Sequence, residues 1–312
     1  MASVFMRYNQ HLYNEVNELR QEVVEYCLLD DYNLDPKEIV VDYGGGVTLS
    51  RLDILSMLPD KKTSPKIIDC WAKLLNITEA EESEVPRMAF ICCSGSVHID
   101  RLVATYRQST PSPQIKDDLY AIWDKFVMDC GEFFYMDADL FFIPIVVGEH
   151  FFVACVNFKD KAIDILDNQK MIACEEESTV HVYAEAAVFE GLSDFYEKWG
   201  LEKCSGCSNF ESRFLKLKWQ DDAPNDNESA LFTMMHMLMY EGTAIDDPNM
   251  VSKKYRRILV CQLAAALLLA DCNLNRDVLL ENVSKFVENK SDIMKFLKVQ
   301  RQVQRKKQKL QK

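Results

Sequence analysis

Three side chains that lie far apart in the chain have the types that acyl-transfer chemistry needs. His150 stands at the start of an apolar run, "HFFVACVNF", directly after a Gly148-Glu149 turn signal. Asp167 closes the next run, "AIDILD", seventeen positions on. Ser229 follows the acidic Glu228 at the mouth of an apolar helical stretch, "SALFTMMHMLMY". A nucleophilic hydroxyl or thiol needs a base within hydrogen-bond reach, and the base needs a group behind it that orients its ring. An antiparallel strand running back past His150 would supply that group in Asp167. The same residues have ordinary uses too: a surface imidazole, a turn carboxylate, and a helix N-cap for Ser229. The remaining histidines are less suited. His11 and His181 fall in polar helical stretches, His98 follows "CCSGSV", and His236 lies on a Met-rich helix where a core role is expected.

The elements that must position these groups are read from apolar patterning. "DLFFIPIVV" (139–147) and "HFFVACVNF" (150–158) are nearly continuous runs of β-branched and aromatic residues, which predicts a central hairpin buried on both faces. "AIDILDNQ" follows the turn "KDK" as a third strand, with Ile163 and Ile165 on one side. Asp164 and Asp167 cannot share a face, because their separation is odd. A helix is expected over roughly 181–199, a short strand at "FLKLKW" (214–219), and a helix from Ser229 to about Tyr240 that Gly242 ends. Upstream, residues 1–40 read as a helix ending near Pro36, and "YGGGV" (43–47) reads as a flexible turn. In "SPKIIDCWAKLLN", Ser64 caps a helix that opens with Pro65 and buries Ile67, Ile68, Trp71, Leu74 and Leu75. Helices, then a cluster of mostly antiparallel strands, then helices make an α+β protein.

Bulk properties narrow the class. A chain of 312 residues with 48% hydrophobic and 27% charged content can bury a substantial core in one large domain with extensions. The longest apolar run, "ILVCQLAAALLLA" (258–270), is short and contains Gln262, so it reads as a buried helix and not a membrane span. The N-terminus lacks the charge-then-apolar order of a signal peptide. Eleven cysteines, an odd number, are scattered through apolar segments, as at Cys92, Cys93, Cys155 and Cys261. Both features predict a reducing intracellular setting, nuclear or cytoplasmic. "CSGC" (Cys204, Cys207) has zinc-ligand spacing without a second pair, so neither a metal nor a cofactor is expected. Net charge is −13, yet the last fifteen residues, "KVQRQVQRKKQKLQK", hold seven Lys or Arg and no acid. The acidic body disfavours nucleic acid as main ligand, except through the basic tail 298–312, and no membrane partner is expected.

The stretch "DLFFIPIVVGEHFFVACVNFKDKAIDILDNQ" resembles the centre of the ubiquitin-like-protein-specific cysteine proteases, the adenain-like enzymes that process and remove SUMO-type modifiers. That family's pattern is a "FIPI"-like strand, His then Trp, an apolar strand, Asn-(Leu/Phe)-x-x-Lys, and Ile-x-x-Leu-Asp. This chain supplies Phe142 through Ile145, His150-Phe151, Val156-Asn157-Phe158, Lys161, and Ile163 through Asp167. Upstream, "IIDCWAKLL" resembles a family helix, and downstream "NDNESALF" stands where the family writes Asn-x-Tyr-Asp-Cys-Gly-x-Phe. The resemblance spans roughly 47–242 and is strongest to divergent plant members associated with mobile elements.

The resemblance implies an adenain-like α+β fold with a catalytic-type domain at 47–270, an N-terminal helical extension at 1–46 and a C-terminal helical segment with a basic tail at 271–312. It makes His150 the general base, Asp167 its orienting carboxylate and Ser229 the occupant of the cysteine's position. It places Phe151 and Trp71 at the substrate groove. The family's oxyanion glutamine, six residues before the cysteine, falls at Ala223, and Gln220 could replace it only in a remodelled loop. Glu228 stands for Asp, Ala230 for Gly, and Lys62 for a groove tryptophan. Four departures in one loop read as natural divergence, not as an engineered Cys→Ser change. The expectation is a SUMO-type protease domain with impaired catalysis, in which Ser229 now caps its helix. Such a domain would be retained to bind a ubiquitin-like modifier or a modified protein. Two alternatives stay open: an active isopeptidase of the same family, and a nuclear scaffold acting through the terminal helices and basic tail.

Overall fold

In the computed structural model the described residues are 18–29, 34–59, 61–82, 87–92, 138–147, 149–169, 206–220, 228–243, 245 and 247–290. Their elements, in chain order, are α1 (Glu18–Leu28), β1 (Ile39–Asp42), β2 (Thr48–Ser50), α2 (Arg51–Leu55), α3 (Pro65–Glu82), β3 (Met88–Phe90), β4 (Leu140–Val147), β5 (His150–Asn157), β6 (Ala162–Leu166), β7 (Glu211–Phe214), α4 (Ser229–Met239) and α5 (Lys253–Leu269). A further helix, α6, covers 276–290.

Continuous apolar sequence puts β4 and β5 at the centre of a five-stranded sheet ordered β3-β4-β5-β6-β7. The β4–β5 hairpin runs antiparallel from Val147↔His150 to Leu140↔Asn157, and β5–β6 runs antiparallel from Val153↔Leu166 to Asn157↔Ala162. The outer pairs, β3–β4 and β6–β7, are parallel. This is the expected α+β architecture, with helices packed on a mixed sheet. One apolar core joins Cys27 of α1, Trp71 of α3, Phe142 of β4, Met234 of α4, Leu263 of α5 and Phe286 of α6. Helix α4 lies against β5, and the Trp71 indole of α3 donates to the Met234 carbonyl at 3.1 Å, which fixes α3 to α4.

A buried carboxylate ties the far end of α4 to the sheet. Asp164, in the middle of β6, is 0% exposed. It accepts from Arg213 Nε at 2.6 Å, from Arg213 Nη2 at 2.9 Å and from the Tyr240 hydroxyl at 2.6 Å. Burial, reinforced by Asp164, pushes the Tyr240 hydroxyl far above its ordinary pKa, so it remains a donor. The helix ends at Met239, and its C-cap Tyr240 is already extended at φ −81, ψ 124. Gly242, two residues on, turns with φ +87, and a Cβ there would press on the Asn157 side chain at 3.3 Å.

Some expectations are corrected. Within the stretch read as one helix to Pro36, α1 ends at Leu28, and the chain enters strand β1 at Ile39. Gly44, Gly45 and Gly46 adopt φ of +73, +62 and +82, and Tyr43 N–H donates to Val47 O at 3.0 Å, so "YGGGV" closes a β1–β2 hairpin. The hairpin spans residues 46 and 47, and α1 shares the core with α6 through Tyr26 and Phe286 rings 5.5 Å apart. The strand expected at 214–219 lies at Glu211–Phe214. The alternation in "FLKLKW" instead buries Leu217 and Trp219 from a loop. Ser64 turns its hydroxyl to Asp53 Oδ1 at 2.8 Å, where it helps hold the capped start of α2. The helix expected at 181–199, Cys93, and Cys204 of the "CSGC" pair lie outside the described residues.

The Asp164 cluster makes a stability prediction. Removing the hydroxyl with Tyr240→Phe leaves the Arg213 pair intact and deletes one hydrogen bond to a charged acceptor. The expected loss is roughly 1.5–3 kcal/mol, read as a lower urea midpoint with an unchanged denaturant slope.

Candidate functional site

The end of β5 projects beyond its neighbour. Strand β6 stops at Leu166, opposite Val153, so the chain immediately after it comes level with the start of β5. There His150 Nε2 meets Asp167 Oδ1 at 2.8 Å, with side chains 13% and 6% exposed. A carboxylate accepts, so the proton of this bond belongs on Nε2, and in a neutral ring Nδ1 then carries the lone pair. The His150 ring lies over Phe152 with centroids 6.3 Å apart. Asp167 is held from two further sides. Its Oδ1 also accepts from Gln169 N–H at 2.8 Å, and its carbonyl accepts from Gln220 Nε2 at 2.8 Å.

Because β6 has ended, it cannot serve the amide of Phe151, and a buried amide must find another acceptor. Ser229 provides it: Phe151 N–H donates to Ser229 Oγ at 3.1 Å. The hydroxyl therefore sits against the backbone one residue from the imidazole, and Ser229 is 0% exposed. Among the described residues, buried His150 Nδ1 makes no hydrogen bond. Histidine, carboxylate and hydroxyl thus gather where β5, the β6 end and the first turn of α4 meet.

The expected N-cap role for Ser229 is corrected. Glu228 occupies the cap position with φ −99 and ψ −4 and makes no side-chain cap bond, and Ser229 is the first helical residue. The carboxylate of Glu228 pairs instead with Arg256 Nε of α5 at 2.8 Å. Arg256 also donates to the Met250 and Val251 carbonyls at 2.9 and 2.8 Å, so this nearly buried ion pair is hydrogen-bonded on its cationic side. A negative group at the start of α4 also complements the helix dipole.

Other site expectations fare differently. Gln220 is committed: one amide hydrogen goes to Asp167 O, the other to Leu215 O at 3.1 Å, and its Oε1 accepts from Leu217 N–H at 3.1 Å. It braces the loop after β7 and has no hydrogen left for an oxyanion. Ala223 lies outside the described residues. Trp71 and Phe151 do not line a groove, since they are 0% and 3% exposed and belong to the core. Phe151 is turned inward by strand alternation, because its neighbour His150 takes the other side. Lys62 pairs with exposed Glu149 of the β4–β5 turn, the residue before His150, at 2.7 Å.

No family model and no curated protein matches this sequence. Solved structures do. The SUMO protease Ulp1 with its catalytic cysteine oxidised to a sulfinic acid is 16% identical, at a TM-score of 0.55 over 84% of this chain and 98% of that one. Its sulfenic-acid form is 15% identical, at 0.54 over 84% and 99%. The C-terminal Ulp1 protease domain in complex with Smt3, the yeast ortholog of SUMO, is 15% identical, at 0.53 over 83% and 98%. At these identities the likeness is one of fold: the chain is built as a ubiquitin-like-protease domain is built.

Sequence reasoning set His236 aside as a core residue, and the structure puts it under the site. It is 1% exposed, with its ring 5.9 Å from that of Trp219 and 6.3 Å from that of Phe232. Its position one turn beyond Phe232 on an apolar helix was the only signal available. Burial lowers its pKa from 6.5 to about 4, partly offset by nearby Asp167 and by the Leu166 backbone, while His150 adds to the lowering. The folded state therefore keeps this ring neutral where the unfolded chain would protonate it. The stabilisation is complete above about pH 6.5 and is lost as pH falls towards about 4. The expected slope approaches ~1.4 kcal/mol per pH unit. Urea unfolding at a series of pH values checks this: His236→Phe should flatten the slope between those limits, and an unchanged slope would assign it to another group.

Proposed function

We propose that this chain is a ubiquitin-like-modifier protease domain that has lost efficient peptide cleavage and serves by binding a SUMO-type modifier or a protein carrying one. The observation that carries this reading is the mismatch within the site. The His150–Asp167 pair is in place at 2.8 Å, yet the hydroxyl at the nucleophile's position accepts a backbone hydrogen bond and none joins it to His150 Nδ1.

The chemistry follows from that mismatch. A cysteine thiol with an ordinary pKa near ~8.5 is brought down by an adjacent imidazolium and a helix N-terminus, and it attacks as a thiolate. A serine hydroxyl is far less acidic and must pass its proton to the imidazole during attack, which requires the bond that is missing. The amide of Phe151 also occupies one lone pair of Oγ, drawing electron density from the atom that would attack. The oxyanion that develops on the attacked carbonyl needs a donor as well. Alanine at 223 has no side-chain hydrogen to donate, and both hydrogens of Gln220 are taken. Losing one oxyanion donor costs roughly 10²–10³ in rate. The fold likeness to a protease domain solved with a SUMO ortholog supports a modifier as the bound partner.

The test uses a SUMO-type modifier with a C-terminal electrophile, scored as a covalent adduct by intact mass. The unaltered chain should give no adduct, Ser229→Cys alone should stay inert, and Ala223→Gln with Ser229→Cys should label. Unmodified modifier should still bind the unaltered chain by calorimetry. Labelling of the unaltered chain at the double variant's rate would replace this reading with that of an active isopeptidase. Labelling by Ser229→Cys alone would show an intact oxyanion pocket.

A further inference from the structure

The chain that joins α2 to α3, described at 56–59 and 61–64, touches both elements that carry the site. Its ends are stitched together. Ser64 N–H donates to Ser56 Oγ at 2.8 Å, the Thr63 hydroxyl to the Ser56 carbonyl at 3.3 Å, and the Ser64 hydroxyl to Asp53 Oδ1 at 2.8 Å. Between them the chain turns on a bond of 2.9 Å from Lys61 N–H to the Leu58 carbonyl. Closed ends make a compact loop, of a kind that often serves function.

On one flank of this loop Met57, Pro59 and Thr63 line a small cavity together with Glu228 and Ala230, the residues on either side of Ser229. On the other, Lys62 Nζ meets Glu149 Oε1 at 2.7 Å, one residue before His150. The loop therefore bridges the start of α4 and the tip of the β4–β5 hairpin, the two elements that bring hydroxyl and imidazole together. Ser229 is 0% exposed, and the lone-pair nitrogen of His150, Nδ1, is buried as well. Any group that is to reach them needs a surrounding contact to give way. The Glu228–Arg256 pair and the Phe151 N–H bond to Ser229 are buried. The Lys62 and Glu149 side chains are 60% and 61% exposed. An exposed pair is weak in water and screened by salt, whereas opening a buried one strands a charge. Of these contacts, Lys62–Glu149 opens first.

We propose that the 57–63 loop is a strap over the His150–Ser229 site, latched by the Lys62–Glu149 ion pair, and that release of the latch uncovers His150 Nδ1. The strap governs reach to the imidazole whether or not the site cleaves, so it stands apart from the modifier-binding reading.

Diethyl pyrocarbonate reads the latch in the full-length chain. It carbethoxylates accessible imidazole nitrogens, and with Nε2 held by Asp167 the reaction at His150 requires Nδ1 to be uncovered. Each histidine is scored on its own peptide by mass spectrometry. Lys62→Glu and Glu149→Lys should each speed modification of His150 by about two- to fivefold, the factor that corresponds to an exposed ion pair. The double reversal Lys62→Glu/Glu149→Lys should restore the slow rate. Raised salt should bring the unaltered chain towards the rate of the single variants, while buried His236 stays slow throughout. Equal His150 rates in all four proteins would overturn the proposal. So would a double reversal as fast as the single variants, a rate in the unaltered chain indifferent to salt, or a His236 that speeds up in step with His150, which marks general loosening.

Discussion

The antiparallel register of β5 against β6 is the constraint on which the site depends. With Val153 opposite Leu166, the carboxylate that follows β6 arrives beside the imidazole that opens β5. The same early end of β6 leaves the Phe151 amide without a strand acceptor, and that need draws in the Ser229 hydroxyl. A slip of one residue would reverse every side chain of β6. It would turn buried Ile163 and Ile165 to the other face and carry Asp164 away from Arg213 and Tyr240. Registration is thus enforced by core burial and by a carboxylate network that takes no part in the site.

Helix α4 is held at both ends by charges that the sheet and α5 supply. At its start, buried Glu228 meets Arg256; at its end, Tyr240 meets Asp164. Removing one partner of a buried ion pair costs about 3–5 kcal/mol, far more than an exposed pair such as Lys62–Glu149 contributes. The acid ahead of Ser229 is therefore a structural fixture: its longer side chain reaches α5, and the helix start follows it. Between these anchors lies His236, kept neutral by burial beneath the imidazole that faces solvent more closely.

On the proposed reading, what the fold needs for shape is separate from what cleavage would need. Shape requires the hairpin, the β6 carboxylates and the two helix anchors, and all are present. Reaction requires a nucleophile bonded to its base and a donor for the developing oxyanion. Here the hydroxyl serves a backbone amide and the glutamine serves two carbonyls. Each of these groups satisfies a buried backbone atom that would otherwise be costly, so both strengthen the fold.

Much of this was legible in the residues themselves. Apolar runs split by Gly148-Glu149 specify a buried hairpin whatever surrounds it, and the helix–strand–helix order sets the α+β class. The same sequence marked His150, Asp167 and Ser229 as residues of suitable type at element ends. Local pattern failed where two uses share one signal. Three glycines look alike in a loose turn and in a hairpin, and "FLKLKW" alternates equally well as a strand or as a loop that buries Leu217 and Trp219. Whether a glutamine donates to a reaction or to a carbonyl, and whether an aromatic at 71 or 151 lines a groove or fills a core, has no local signature. A polar hydrogen goes to the nearest unsatisfied acceptor, and which acceptor is nearest is decided by strands and helices distant in the chain. Composition and periodicity therefore determined the elements and the chemical types available, and only the packing of β5, β6 and α4 decided which atoms those types would serve.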